Sequence, residues 1–368
     1  MNKLKMQLDN RETGFTIIEI MVALAIGALL IGGIIQVFIS FKQTEKVAGA
    51  LSRIQESSRL VNDIFMSDSR HIGFVGCLDP HEAGTGVSVI YKDAPPYITN
   101  FRDNSLNGWD ITAHSWGDAA TIDLGDIDND ANKNAILHSD VFRAQFLSQT
   151  SIPLNSDMSS KSDDIELSNN IFGLKDGSIA SVGSCDFIDV FKVSGVVAGS
   201  PVTISHGDST NTSTELGAAY SSEDLVRIFL SNTYFVGKSG RKNNSGDEIF
   251  ALYRRDVNGD IEEIVEGVEN MQILYGQEIA VDNNTSNNTI RYVNASDTDI
   301  KWEDVTVIKI ALLLASSDRV LTTDDTSTYQ LLDRTITQAT TPLAYPNDRR
   351  LRRVVNMNIN IRNRRVVK

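Results

Sequence analysis

From Phe15 to Phe41 the chain is almost unbrokenly apolar, and residues 20–35 are all apolar or glycine with no charge among them. A helix rises about 1.5 Å per residue and the hydrocarbon core of a bilayer is about 30 Å thick, so this run predicts a membrane-crossing helix. Beyond Phe41 a helical period continues. Val47, Leu51, Ile54, Ser58, Val61 and Phe65 recur every three or four positions, with Lys46, Arg53, Glu56, Arg59 and Asp63 on the opposite face. One helix is expected from about residue 15 to about residue 69, its first half in lipid and its second half packed on a soluble domain. Gly73 and Gly76 then stand where a helix would be capped.

The pattern changes after Cys77 to short apolar runs separated by loops rich in Asn, Ser, Asp and Gly, which predicts a β-rich domain. Strands are expected at residues 187–197, 225–236, 249–255, 260–265, 271–275, 305–315 and 351–361. Polar loops are expected at 155–164, 206–224, 238–247 and 282–299. Asn258-Gly259 between two strand-like runs predicts a type I′ hairpin, which needs positive φ at both residues. Residues 349–368 carry eight cationic side chains and no acid, and Val355, Met357, Ile359 and Ile361 alternate there with Asn356, Asn358 and Asn360. The alternation predicts a strand. The charge run reads first as a solvated face or protected edge, then as a basic docking surface, and last as a DNA contact.

Composition narrows the choices. The net charge of −14 argues against a nucleic-acid partner for the chain as a whole. Cys77 and Cys185, the two cysteines, both follow the apolar segment. If that part faces an oxidising compartment, they are expected to form one disulfide closing a loop of about a hundred residues, a constraint of about 4 kcal/mol in the chain-entropy model. Enzyme signatures fail: Gly237-Lys238-Ser239 lacks the first glycine of a phosphate loop, His81-Glu82 lacks a second zinc-binding histidine, and the five histidines are scattered. No cofactor is expected except a possible Ca²⁺. Asp126, Asp128 and Asp130 have the spacing of a calcium loop, but Ala131 replaces the turn glycine and Leu137 the bidentate glutamate, so a solvated loop is the leading alternative.

The N-terminus is more specific. Residues 1–14 form a polar leader ending in Gly14, no small-x-small cleavage site follows the apolar run, and Glu19 is a lone carboxylate inside it. A charge in lipid costs roughly 2.5–3.5 kcal/mol or more, so Glu19 calls for a function and a partner. Gly14-Phe15-x-x-x-Glu19 resembles the type IV prepilin signal. That resemblance implies cutting after Gly14 by a prepilin peptidase, N-methylation of Phe15 and a need for Glu19 in assembly. Beyond the signal nearly the whole chain resembles the PilW family of minor pilins, with 79–184 matching least, through residues 50–59 (ALSRIQESSR), 73–77 (GFVGC), 185–191 (CDFIDVF), 252–256 (LYRRD), 265–276 (VEGVENMQILYG) and 349–364.

The resemblance implies an α+β, type IV pilin-like fold: leader 1–14, membrane part of the helix 15–41, soluble part 42–70 and a β-rich periplasmic domain 71–368. It implies a non-enzymatic subunit, anchored in the inner membrane by one span and later part of the pilus. There it would help an initiation or tip complex through contacts with other minor pilins and the major pilin. A minor pseudopilin of type II secretion and a membrane-anchored adhesin are the alternatives. The glycine–aromatic junction ahead of the helix predicts a mature chain beginning at methylated Phe15. Mass spectrometry of protein from the native host checks this, and an intact Met1 terminus or a cut after Ser40 would reject it.

Overall fold

In the computed structural model the described residues are 15–78, 86–92, 101–111, 135–280, 288–338 and 345–363. By internal contacts the chain divides into two units, residues 1–49 and 50–368. Helix α1 (Ile17–His71) is continuous, and its first buried residue is Ala50. The observed ends lie within two residues of the expected ones. Gly73 and Gly76 have φ of 76° and 83°, which suits glycine where the chain leaves a helix. The Gly73 N–H donates to Gln145 O at 3.0 Å.

The strands in chain order begin with β1 (Val87–Val89), the single-turn α2 (Phe101–Asn104), β2 (Leu106–Trp109), β3 (Val141–Leu147), β4 (Ile152–Pro153), β5 (Ile165–Leu167) and β6 (Ile179–Gly183). There follow β7 (Ile188–Lys192), β8 (Gly195–Val197), β9 (Val202–Ser205), β10 (Leu225–Lys242), β11 (Glu248–Arg255) and β12 (Ile261–Glu266). The last third holds β13 (Val268–Ala280), β14 (Asn288–Val293), β15 (Val305–Arg319), β16 (Tyr329–Leu331), β17 (Arg334–Ile336) and β18 (Arg350–Asn360). A nine-stranded sheet runs β1-β7-β6-β10-β11-β12, with β2, β3 and β4 joined through β3 and β10. Strand β10 is its hub: Leu225–Ile228 pair with β6, Phe229–Tyr234 with β3, and Thr233–Lys242 with β11. A second, antiparallel sheet runs β14-β13-β15-β18.

The largest core joins both sheets to the end of α1. Ile54, Val61 and Phe65 meet Phe142 and Tyr234 from the first sheet and Met271, Ile310, Met357 and Ile359 from the second. The Phe65 ring stands edge-on to Phe142 at 5.2 Å and to Tyr234 at 5.0 Å. Of the periodic stripe, Ile54, Val61 and Phe65 are the buried members, and all five charges placed opposite them are exposed. Gly108 makes room on β2: a Cβ there would lie 1.9 Å from the Tyr275 hydroxyl.

Several expectations shift. The run at 187–197 breaks into β7 and β8 because the chain changes sheets: β7 pairs with β6, whereas β8 pairs with β9. Lys238–Lys242, expected in a loop, extends β10 against β11, so Gly237-Lys238-Ser239 is strand. The polar stretch 282–299 contains β14, whose Ile290 and Tyr292 alternate with Arg291. The type I′ hairpin is also corrected. Gly259 has φ of 91°, but Asn258 is not among the residues with positive φ. Asp256 Oδ1 instead accepts the N–H groups of Asn258 and Asp260, both at 2.9 Å. The Gly259 N–H returns to Asp256 O at 3.2 Å, which makes a three-residue loop ending in a left-handed glycine.

Candidate assembly site

At the start of α1, Thr16 precedes the first helical residue and Glu19 is its third. The Glu19 N–H donates to Thr16 Oγ1 at 3.3 Å, and Glu19 Oε2 accepts from Thr16 N–H at 3.2 Å and from Thr16 Oγ1 at 3.1 Å. This is a capping box, in which each residue satisfies an orphan donor of the other. The carboxylate inside the apolar run therefore has a local partner in the isolated chain. Thr16 was not singled out from sequence, although the Thr-x-x-Glu spacing ahead of an apolar run is its signature. Phe15, Ile17, Leu24, Leu29 and Ile34 are each more than two-thirds exposed. The helix is long and apolar enough to cross a membrane, and none of its most apolar window is buried.

Gly14 lies outside the described residues, as do Asp126, Asp128 and Asp130 and the pair His81-Glu82. Among the described residues there is no group of three acids, histidines or cysteines that could hold a metal ion. Cys77 and Cys185 are bonded to each other, with their Cα atoms 4.8 Å apart. The bond ties the segment just after α1 to the start of β7.

The basic C-terminal strand overturns the solvated-face expectation at two positions. Arg350 and Arg352 are each 2% exposed. Arg352 Nε lies 2.6 Å from Glu269 Oε2, and its Nη1 lies 2.9 Å from Asp348 Oδ1 and 3.2 Å from Asp325 Oδ2. Arg350 reaches Asp348 Oδ2 at 2.6 Å and Glu269 Oε1 at 2.8 Å. The Arg352 guanidinium also lies 4.4 Å from the centre of the Tyr345 ring. Glu269 sits where the register of β13 against β15 slips, just after Gly267, whose φ is 88°. A Cβ at Gly267 would come within 2.6 Å of Ala315 O, so this kink requires glycine.

Other buried or half-buried polar groups pin the helix and the strands. Asp68 near the end of α1 accepts from Asn232 Nδ2 and Tyr234 Oη, both at 2.5 Å. Burial and the Asp68 carboxylate together push the Tyr234 phenol well above its ordinary range. Asp189 on β7 accepts from Tyr220 Oη at 2.7 Å and Gly217 N–H at 2.6 Å, which holds the long loop before β10. Asp140 at the start of β3 accepts the Ile273 N–H at 2.7 Å, joining the two sheets.

A long apolar N-terminal helix leading into a large β-rich domain is the pilin-like α+β architecture. Residues 9–35 match the family model described as the prokaryotic N-terminal methylation motif. Residues 233–363 match the model of the type IV pilus-assembly protein W, PilW. Over these residues the chain is similar to prepilin-type signals and to the PilW family, and the two matches support a minor-pilin role connected with the type IV pilus. No curated protein matches the chain. The PilW match spans β11 to β18 and so contains the whole buried cluster around Arg352.

Burial, and then the nearby Asp110 carboxylate, raise the Asp140 pKa well above the ordinary 3.8. A carboxyl raised in this way contributes most stability while protonated, and that contribution is lost as pH rises through the folded pKa. Asp140→Asn keeps an acceptor for Ile273 and removes the ionisation. It should raise the melting temperature near neutral pH by about 2 °C, and the gain should vanish as pH falls towards 3.8. Thermal melts at the two pH values check this, and equal shifts at both would contradict it.

Proposed function

We propose that this chain is a minor pilin that is cut between Gly14 and Phe15, methylated at Phe15, and held in the inner membrane by α1 with residues 71–368 in the periplasm. It then joins other minor pilins and the major pilin in the complex that starts or tips the fibre. The reading is of assembly rather than catalysis. The observation that supports it most is the bare apolar surface of α1 around a capped Glu19. In the isolated chain the side chains from Phe15 to Phe41 are almost all exposed, which suits lipid first and neighbouring helices later.

The same geometry suggests how Glu19 acts. After cleavage the Phe15 ammonium adjoins Thr16, so the carboxylate can keep its cap or pair with an ammonium, its own or a neighbour's. A charge pair between packed helices interacts more strongly than in water, although desolvation offsets much of the gain. Pairing between subunits would set the axial register of one helix on the next.

Glu19→Ala is therefore expected to insert and to be cut after Gly14, since losing the charge favours lipid. It should lose the co-purification of partner pilins from membranes, and piliation should fall. Membrane fractionation, pull-down and counting of pili beside wild type make the test. Normal partner recovery with normal piliation would remove Glu19 from the assembly mechanism.

A further inference from the structure

Strands β2 and β3 pair antiparallel up to Trp109 and Val141. One step further the same register sets Asp110 opposite Asp140, and just beyond them the His138 N–H donates to Ile111 O at 2.6 Å. Like charges directly opposite each other on a sheet repel. By strand alternation the two acids share the face of Leu106 and Phe142, which packs in the largest core with Tyr275. The Tyr275 hydroxyl lies against Gly108, two residues before Asp110.

Other segments converge on the pair. Asp140 Oδ2 accepts the Ile273 N–H of β13, and Asp110 Oδ2 accepts the Ser296 N–H at 3.2 Å from the loop after β14. Asn294 of the same loop donates to Asp333 at the β16–β17 turn at 3.1 Å. Two oxygens stay unmatched: Asp110 Oδ1 and Tyr275 Oη are both buried without a hydrogen-bond partner, and the Tyr275 side chain is wholly inaccessible. Folded proteins satisfy nearly all such atoms, so an orphan pair beside two carboxylates calls for a ligand. Burial and then the Asp140 and Asp110 carboxylates hold the Tyr275 phenol well above its ordinary range, as expected of a hydroxyl facing both. The charged groups acting on Asp140 are Asp110, Asp333 and Arg334. With all ionised, three carboxylates face one guanidinium, an excess that matches a dication. Asp333 and Arg334 are exposed and form the solvent side of the group.

We propose that Asp110 and Asp140, with the Tyr275 hydroxyl, bind a hard divalent cation of the calcium type where β2, β3 and β13 converge. All three donors are oxygens, the kind calcium takes, and they are fewer than its usual six to eight or so, so waters complete the shell. The cation relieves the repulsion between the paired acids. Through Ser296 and Asn294 it also steadies the loop after β14 and the β16–β17 turn. This site is separate from the sequence-predicted calcium loop at Asp126, Asp128 and Asp130.

The test melts the full chain in detergent, with calcium and with chelator. At about a hundredfold excess over Kd, calcium should raise the wild-type melting temperature by about 4 °C. Asp110→Asn keeps an acceptor for Ser296 and Asp140→Asn keeps one for Ile273. Each should lose the rise, while melting no lower than wild type in chelator because one of two facing charges is gone. Replacing Asp126, Asp128 and Asp130 together by Asn should leave the rise intact. The Trp302 and Tyr275 rings lie 4.8 Å apart, so terbium bound here should luminesce when the aromatic rings are excited, and calcium should quench it. A wild type unmoved by millimolar calcium, a rise kept by Asp110→Asn, or a rise abolished by the triple substitution would each overturn the proposal. So would terbium emission equal in wild type and Asp110→Asn.

Discussion

Strand β18 is held by a cluster of buried charge. Among the described residues, strand β18 is the last strand and pairs with β15 alone. One face of it supplies Met357, Ile359 and Ile361 to the core that receives α1. On the opposite face Arg350 and Arg352 lie among Glu269, Asp325 and Asp348, two guanidiniums with three carboxylates, all nearly inaccessible. Removing such charges from water is expensive, and only tight mutual pairing compensates it, so deleting one partner should cost far more than a surface ion pair would. The cluster also links distant parts of the chain: Glu269 from β13, Asp325 and Asp348 from the segments flanking the β16–β17 hairpin, and the arginines from β18. Tyr345 fixes the same cover by donating to Ser327 O at 2.7 Å.

The helix depends on that closure. Its buried residues rest on a core drawn from both sheets, and β10 bridges partners along its length. Asp68 adds a polar tie from α1 to β10, and the Cys77–Cys185 bond adds a covalent one from just past the helix to β7. Three different kinds of interaction therefore hold the end of α1 to the β-rich unit: apolar packing, a carboxylate accepting two hydrogen bonds, and a disulfide.

Much of this was legible in the sequence, because period is a local property. The long helix, its inward residues and the alternation in 355–361 followed from spacing alone, and the disulfide from there being two cysteines beyond the apolar segment. What escaped depends on distant cover. Arg350 and Arg352 share a strand face with Asn356, Asn358 and Asn360, which are exposed, so the pattern along β18 gave no reason to bury them. The segments flanking the β16–β17 hairpin, with Asp325, Tyr345 and Asp348, together with Glu269 of β13, are what change their environment, and the alternation along β18 does not announce them. The Asn-Gly turn went wrong for a different reason: the preceding Asp256 captured two backbone N–H groups and selected a longer loop. Thr16 was readable and overlooked, since its spacing to Glu19 is a helix-start signal in its own right.

Under the assembly role proposed above, α1 would pass from lipid to a bundle of neighbours while the β-rich unit keeps one shape. The apolar surface of α1 is exposed in the isolated chain, and the core of the β-rich unit is closed by β18 with its buried arginines. The measurement closest to this claim is equilibrium unfolding of Glu269→Gln, which removes one charge and preserves shape. A loss of about 3–5 kcal/mol is expected for breaking a buried charge cluster. A variant within about 1 kcal/mol of wild type, the range of an exposed ion pair, would show that the cluster does not hold the sheet closed.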